Sequence, residues 1–141
     1  MTNVYSKIDP KILTHKIIRR EDLKTQSERV DQSDISELLQ ISTINTKCKR
    51  KYNPHYHLPT KKITIGTQEA WIIIGGCVKI QCYDIDNKTI LCEHILKYGD
   101  IAITFNGGHS YKIESEHALI VEAKTGPFLG TEYDKNYIKG V

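Results

Sequence analysis

The sequence predicts an all-β fold, an antiparallel sandwich or barrel built in one domain, and three observations predict it. Short apolar stretches with a two-residue alternation recur along the chain. Turn signals rich in Gly, Asp and Asn separate them. No long stretch of 3.6-residue periodicity lies between them, which argues against alternating strand–helix–strand units. A length of 141 residues suits one compact domain.

The elements follow in chain order. Residues 1–36 are polar and charged, with scattered Ile and Leu, and Asp9-Pro10 marks a turn. The stretch 21–34 reads as a helical turn or a loop. Too few apolar residues are present for 1–36 to fold alone, so the expectation is an N-terminal arm packing on the barrel or on a partner. The β domain then runs over 37–141. Leu39, Ile41, Thr43 and Asn45 alternate with Gln40, Ser42, Ile44 and Thr46 as a first strand. Further strands are expected over 62–65, 70–74, 78–83, 89–96, 101–105, 110–114 and 119–124. The turns between them are marked by Gly75-Gly76, the run DIDNK at 84–88, Tyr98-Gly99-Asp100, Asn106-Gly107-Gly108 and Gly126-Pro127. Glu69, Trp71 and Ile73 share one face of a strand, and Ala70, Ile72 and Ile74 share the other. A strand apolar on both faces is buried on both. Its outer face then needs a cover from the arm or from a second copy of the chain, which motivates a homodimer.

Composition excludes several classes. The chain is 39% apolar and 26% charged, so wholesale disorder is excluded. The longest apolar run, 70–74, is far short of the roughly 20 residues of a membrane helix. The N-terminus lacks the apolar core of a secretory signal, so a cytoplasmic location is expected. Net charge is +3, and KCKRK at 47–51 is the one local basic run. It reads as a solvated strand end or turn and not as a nucleic-acid stripe. The four cysteines form no C-x-x-C pair, which gives no signal of a zinc knuckle. Cys77 and Cys82 read as small hydrophobes, and a cytoplasmic protein is not expected to carry disulfides.

Four residues carry the candidate chemistry. His55 and His57 are separated by Tyr56, and in an extended strand positions i and i+2 point to the same side. Their imidazoles can then converge on one metal ion. Pro54 and Pro59 frame them and favour a strand over a helix. Glu69 is a carboxylate in the otherwise apolar run EAWIII, where coordination of a cation would offset the cost of burying its charge. His109 follows the turn Asn106-Gly107-Gly108 and has the parity of Tyr111 and Ile113. Three imidazoles and one carboxylate suit a divalent first-row ion, Zn, Mn, Fe, Ni or Co, with open positions for a ligand oxygen. Tyr111 shares the parity of His109 and is the candidate acid or hydrogen-bond donor. Trp71 is either core or a pocket wall. Glu122 and Lys124 share one face of the last strand and read first as a solvated or interface face, with pairing to each other or a place at the pocket mouth as the alternatives. Lys61 and Lys62 either meet an anionic group or are solvated loop charges. His15, His94 and His117 read as surface residues.

These residues resemble the cupin pattern. His55-Tyr56-His57 supplies the H-x-H of its first motif, and Glu69 with Gly76 supplies E-x6-G. The spacer from His57 to Glu69 is eleven residues where the family often has three or four, and a longer hairpin would absorb it. In the second motif Gly99 and Gly107 match and Phe105 stands where Pro is usual. His109 arrives one residue early, and Ile113 or a neighbour replaces the Asn. The phrases TQEAWIIIGG, YDID, YGDIAITFNGGHSY and EAKTGPFLGTEYDKNYI look like small cupin-fold metalloproteins of bacterial surface-polysaccharide gene clusters. The resemblance implies a cupin-type barrel (jelly roll), a metal at His55, His57, Glu69 and His109, and a sugar-like small-molecule partner. Three functions fit it. One is a metal-dependent isomerase or epimerase of a carbohydrate or nucleotide-sugar-derived molecule. The others are a non-catalytic sugar-binding or regulatory module and an Fe(II) dioxygenase. No dinucleotide fingerprint, P-loop or G-x-S-x-G elbow is present, so nucleotide-cofactor chemistry and serine hydrolysis have no sequence support.

Overall fold

A computed structural model describes residues 1–24 and 28–138. Its strands are β1 (Thr2–Tyr5), β2 (Leu13–Ile18), β3 (Arg29–Asp31), β4 (Ser42–Ile44), β5 (Glu69–Gly75), β6 (Cys77–Tyr83), β7 (Ile90–Lys97), β8 (Ile101–Thr104), β9 (His109–Ile113) and β10 (Leu119–Lys124). Two short helices, α1 (Arg20–Lys24) and α2 (Thr131–Asp134), complete it. No helix among the described residues is long and apolar enough to cross a membrane.

The architecture is all-β and antiparallel. A five-stranded sheet has the order β1-β2-β8-β5-β10, and a three-stranded sheet has the order β7-β6-β9. Their inner faces meet in one cluster, with Ile17, Ile73 and Ala102 from the larger sheet against Val78, Ile80, Cys82 and Leu96 from the smaller. The sheets are two layers of a sandwich and, among the described residues, do not close into a barrel. Strand parity explains why. The outer face of the small sheet is polar, with Lys79, Gln81 and Glu93 in register or diagonal to one another and joined by hydrogen bonds. The outer face of the large sheet is apolar and needs a cover.

That cover comes from the chain itself. Ile18, Ala70, Ile101, Ile103 and Phe105 form a second buried cluster, packed under Leu13, Leu23, Leu39, Ile41 and Ile72. Polar ties hold residues 28–44 in place there. Lys16 Nζ donates to the Gln32 carbonyl at 2.7 Å, and Gln68 accepts from Leu39 N at 2.8 Å. The expected arm is therefore of two kinds. Residues 20–24 and 28–44 cover the sheet, whereas β1 and β2 are members of it. β2 lies between β1 and β8 and is buried on both faces, which hides its period.

Two acidic turns pin the sandwich. Asp100 accepts from Arg19 Nη1 at 2.8 Å and from the backbone N–H groups of Arg20 and Lys97 at 3.0 Å each. Asp84 accepts from Lys7 N at 2.7 Å and Ile85 N at 2.8 Å. Burial alone would push the Asp84 carboxyl up, but bonds from Ser6 and from backbone N–H groups hold it below the usual range. Gly107 adopts φ +77°, and a Cβ there would overlap the Tyr83 carbonyl oxygen, so the turn ahead of His109 requires glycine. Two expected elements differ. Only Ser42–Ile44 of the 39–46 stretch is strand, and residues 62–65 form none.

Candidate functional site

Register brings a row of polar side chains to one end of the sandwich interior. On the large sheet His15 pairs with Thr104, Thr104 with Glu69, and Glu69 with Lys124, so all four share the inward face. On the facing sheet Cys92 pairs with Cys82 and Cys82 with His109, and Tyr111 lies one inward position beyond His109. Apolar residues fill most of the rest of the interior, with His94 of β7 among them beside Ile80. Among the described residues, polar groups turned inward from both sheets gather at the end that holds Glu69 and His109.

Glu69 and His109 meet there. His109 Nε2 lies 3.2 Å from Glu69 Oε1, with the side chains 25% and 12% exposed. Burial would raise the Glu69 carboxyl; the hydrogen bond and charge of His109 override it and hold it below the usual carboxylate range. Glu122 is shifted the other way, first by burial and then by the neighbouring Glu69 carboxylate. Tyr111 stacks on Trp71 across the sandwich, with ring centroids 3.6 Å apart and planes 3° apart. Burial, then the charge of Glu69, pushes the Tyr111 hydroxyl well above its ordinary pKa, so it stays protonated and acts as a donor.

Five buried side-chain polar atoms gathered at this pair have no hydrogen-bond partner among the described residues. They are His15 Nδ1, Trp71 Nε1, Thr104 Oγ1, His109 Nδ1 and Tyr111 Oη. Buried polar groups in folded proteins are nearly always paired, and each unpaired one costs about 1–3 kcal/mol. Their concentration at one place makes this end of the interior the candidate site. Lys124 stands at the rim, bonded to Asp134 at 2.9 Å and 3.9 Å from Glu122. Asp134 also accepts from Thr67 at 2.8 Å, which ties the C-terminal tail to the entry of β5. A cavity of about 180 Å³ opens beside this rim between Thr64, Thr67, Thr125, Pro127, Tyr133 and Asp134.

His55 and His57 stand apart. They lie in a long stretch without strand or helix between β4 and β5, and both are exposed. Their rings are 5.5 Å apart and edge-on, and His55 Nδ1 bonds the Asn53 carbonyl at 3.0 Å. The strand parity expected for them has no strand to act on. Among the described residues no three His, Cys, Asp or Glu side chains converge as a metal-holding group. Of the four expected ligands, this arrangement joins Glu69 to His109 and leaves His55 and His57 outside, so the four as arranged do not fit one ion.

The remaining histidines correct the surface expectation in part. His117 is exposed, as expected, its side chain 90% accessible. His94 points inward from β7 beside Ile80 and is half-buried, and His15 is fully buried. Burial lowers the His15 pKa to about 4 and also lowers that of His94. Sequence reasoning missed His15 because it assigned residues 1–36 to an arm; the β-branched end of LTHKII was the available signal. Comparison with known proteins finds no matching family model, no matching curated protein and no matching solved structure.

Proposed function

We propose that the chain acts on a small hydroxyl-rich molecule, sugar-like in chemistry, at the Glu69–His109 end of the sandwich. The observation that carries this reading is the group of five unpartnered polar atoms around that pair. They combine hydroxyls, an indole N–H and imidazole nitrogens, a set matched to a ligand that both donates and accepts. The chemistry available to the chain's own groups is proton transfer. Glu69 orients the His109 ring through Nε2, leaving Nδ1 to face the guest, and Tyr111 supplies a protonated hydroxyl nearby. This pairing of a base with an orienting carboxylate suits isomerisation or epimerisation at a carbon beside a carbonyl. A non-catalytic sugar-binding module would use the same groups without turnover.

The cupin resemblance adds a metal-dependent form of the same reading, with a divalent ion at His55, His57, Glu69 and His109. It needs two rearrangements: the stretch carrying His55 and His57 must fold inward, and the Glu69–His109 contact must open. β9 is the free edge of the small sheet, so its backbone can accept a further strand alongside His109. A strand laid there with His55 and His57 on its inward side would bring all four groups to one place.

The experiment is elemental analysis of untagged protein beside His57→Ala and Glu69→Ala, with calorimetric binding of a panel of methyl glycosides and nucleotide sugars. Near-stoichiometric metal, lost in both variants, supports the metal-dependent form. Ligand binding lost in Glu69→Gln and His109→Ala, with metal content unchanged, supports the proton-transfer form. Binding that survives both of these variants overturns the assignment of the site.

A further inference from the structure

We propose that His15 is a third side chain of this site, which fixes the position of His109 and offers Nδ1 as an acceptor for a hydroxyl group, from the bound molecule or from a bridging water. The inference rests on the reading of the Glu69–His109 end as the functional site.

His15 reaches both halves of the pair. Within the large sheet it is in register with Thr104, and Thr104 is in register with Glu69. Across the sandwich its Nε2 lies 3.0 Å from the carbonyl oxygen of Gly108, the residue immediately before His109. The imidazole therefore ties β2 to the backbone that carries His109, at the level where Glu69 approaches from β5. A shift of His15 moves the two partners relative to each other.

The same bond fixes its chemistry. A carbonyl oxygen only accepts, so Nε2 carries the hydrogen and Nδ1 keeps its lone pair. His15 is 0% exposed, and Nδ1 has no partner in the protein. Burial keeps the ring uncharged at neutral pH, so Nδ1 stays an acceptor there. Its register neighbour Thr104 carries an Oγ1 that also has no partner and can donate or accept. A hydroxyl satisfies this pair, because it donates to Nδ1 and accepts from Thr104 Oγ1. A carbonyl or carboxylate cannot donate to Nδ1, so this part of the site selects hydroxyl-bearing ligands against keto or acid groups.

The test uses the 15N-labelled full chain and its long-range imidazole 1H–15N spectrum, with His15→Gln to assign the His15 signals. The expected result is a neutral Nε2–H tautomer whose Nδ1 resonates as a hydrogen-bonded acceptor. Saturating methyl hexopyranoside separates the sources: a displaced Nδ1 signal identifies a ligand hydroxyl, and an unchanged one identifies water. An Nδ1–H tautomer, or an Nδ1 signal typical of a bare lone pair, overturns the proposal. So does loss of bound metal in His15→Gln, which would make the ring a metal ligand. In His15→Leu the His109 signals are expected to shift, and in His15→Gln, which keeps an N–H for Gly108, they are expected to return toward the wild type. His109 signals unmoved in His15→Leu overturn the positioning role. If Glu69→Gln and His109→Ala leave carbohydrate binding intact, the reading of the site fails, and the tautomer measurement still decides the acceptor claim.

Discussion

Lowering the pH from 7.5 to 4.5 should weaken the fold through His15, and the size of the effect follows from its burial. The ring ionises near 6.5 in the unfolded chain and near 4 in the folded one, because burial disfavours its charged form. Below pH 6.5 the unfolded chain therefore binds a proton that the folded chain refuses. Stability contributed by the neutral ring is complete above pH 6.5 and is lost as the pH falls toward about 4. A separation of about 2.5 units at ~1.4 kcal/mol per unit gives about 3 kcal/mol over the whole window. Urea unfolding of wild type and His15→Gln at pH 7.5, 6.5, 5.5 and 4.5 isolates this contribution, since the carboxylates common to both cancel. The wild type should lose about 2–3 kcal/mol relative to the variant between pH 6.5 and 4.5. Parallel stability curves for the two proteins would mean that His15 is charged or solvated in the fold, and the argument from burial would fail.

Other substitutions test the turns that frame the site. Gly107→Ala places a side chain at φ +77° against the Tyr83 carbonyl and should cost about 2 kcal/mol or more, read by urea unfolding. It should also disturb the His109 imidazole signals, because the strained turn leads directly into β9. Asp100→Ala removes a buried acceptor of three hydrogen bonds and should destabilise by about 2–3 kcal/mol in the same assay. Asp134→Ala should leave the urea midpoint unchanged, since the Lys124–Asp134 bond lies at the partly exposed rim. Limited proteolysis should then cut the C-terminal tail faster, because Thr67 and Lys124 lose the group that ties it down.

Much of the sheet framework was legible, for a physical reason. Strands β5 to β10 fall within one or two residues of their expected spans, because alternation marks each and glycine or aspartate turns bound most of them, the 114–118 turn between β9 and β10 excepted. β2 was not legible: both of its faces are buried, and Thr14 and His15 bond inside the fold, so no polar face alternates with an apolar one. The parity of Glu69 and His109 was readable from their strands, and the two do meet. The argument for His55 and His57 assumed a strand, and the residues around them are exposed and irregular. Their spacing carried chemistry without carrying position. His15 shows the converse: the β-branched end of LTHKII signals a strand, but not that β8 and Gly108 will enclose the ring.

The two-faced apolar strand EAWIIIG raised the expectation of a second copy of the chain, and the fold supplies another way to meet the same need. Residues 20–24 and 28–44 bring Leu23, Leu39 and Ile41 onto the outer cluster, so the part of the face formed by Ala70, Ile101 and Ile103 is closed within one chain. What stays open is a strip at the β10 edge, with Ile74 at 40%, Val121 at 49% and Leu119 at 62% exposure. Three half-exposed side chains fall well short of the ~800 Å² per partner of a standard interface. Val121→Lys should therefore leave the oligomeric state unchanged in sedimentation equilibrium at micromolar concentration. Leu39→Asp should act in the opposite direction. A carboxylate at that position cannot stay packed against Ile103 and Phe105, so the cover lifts and uncovers a contiguous apolar face. The variant should lose about 2–3 kcal/mol of stability and self-associate as its concentration rises. If Val121→Lys splits a dimer instead, the strip is the centre of a larger interface, and the in-chain cover is only part of what the face requires.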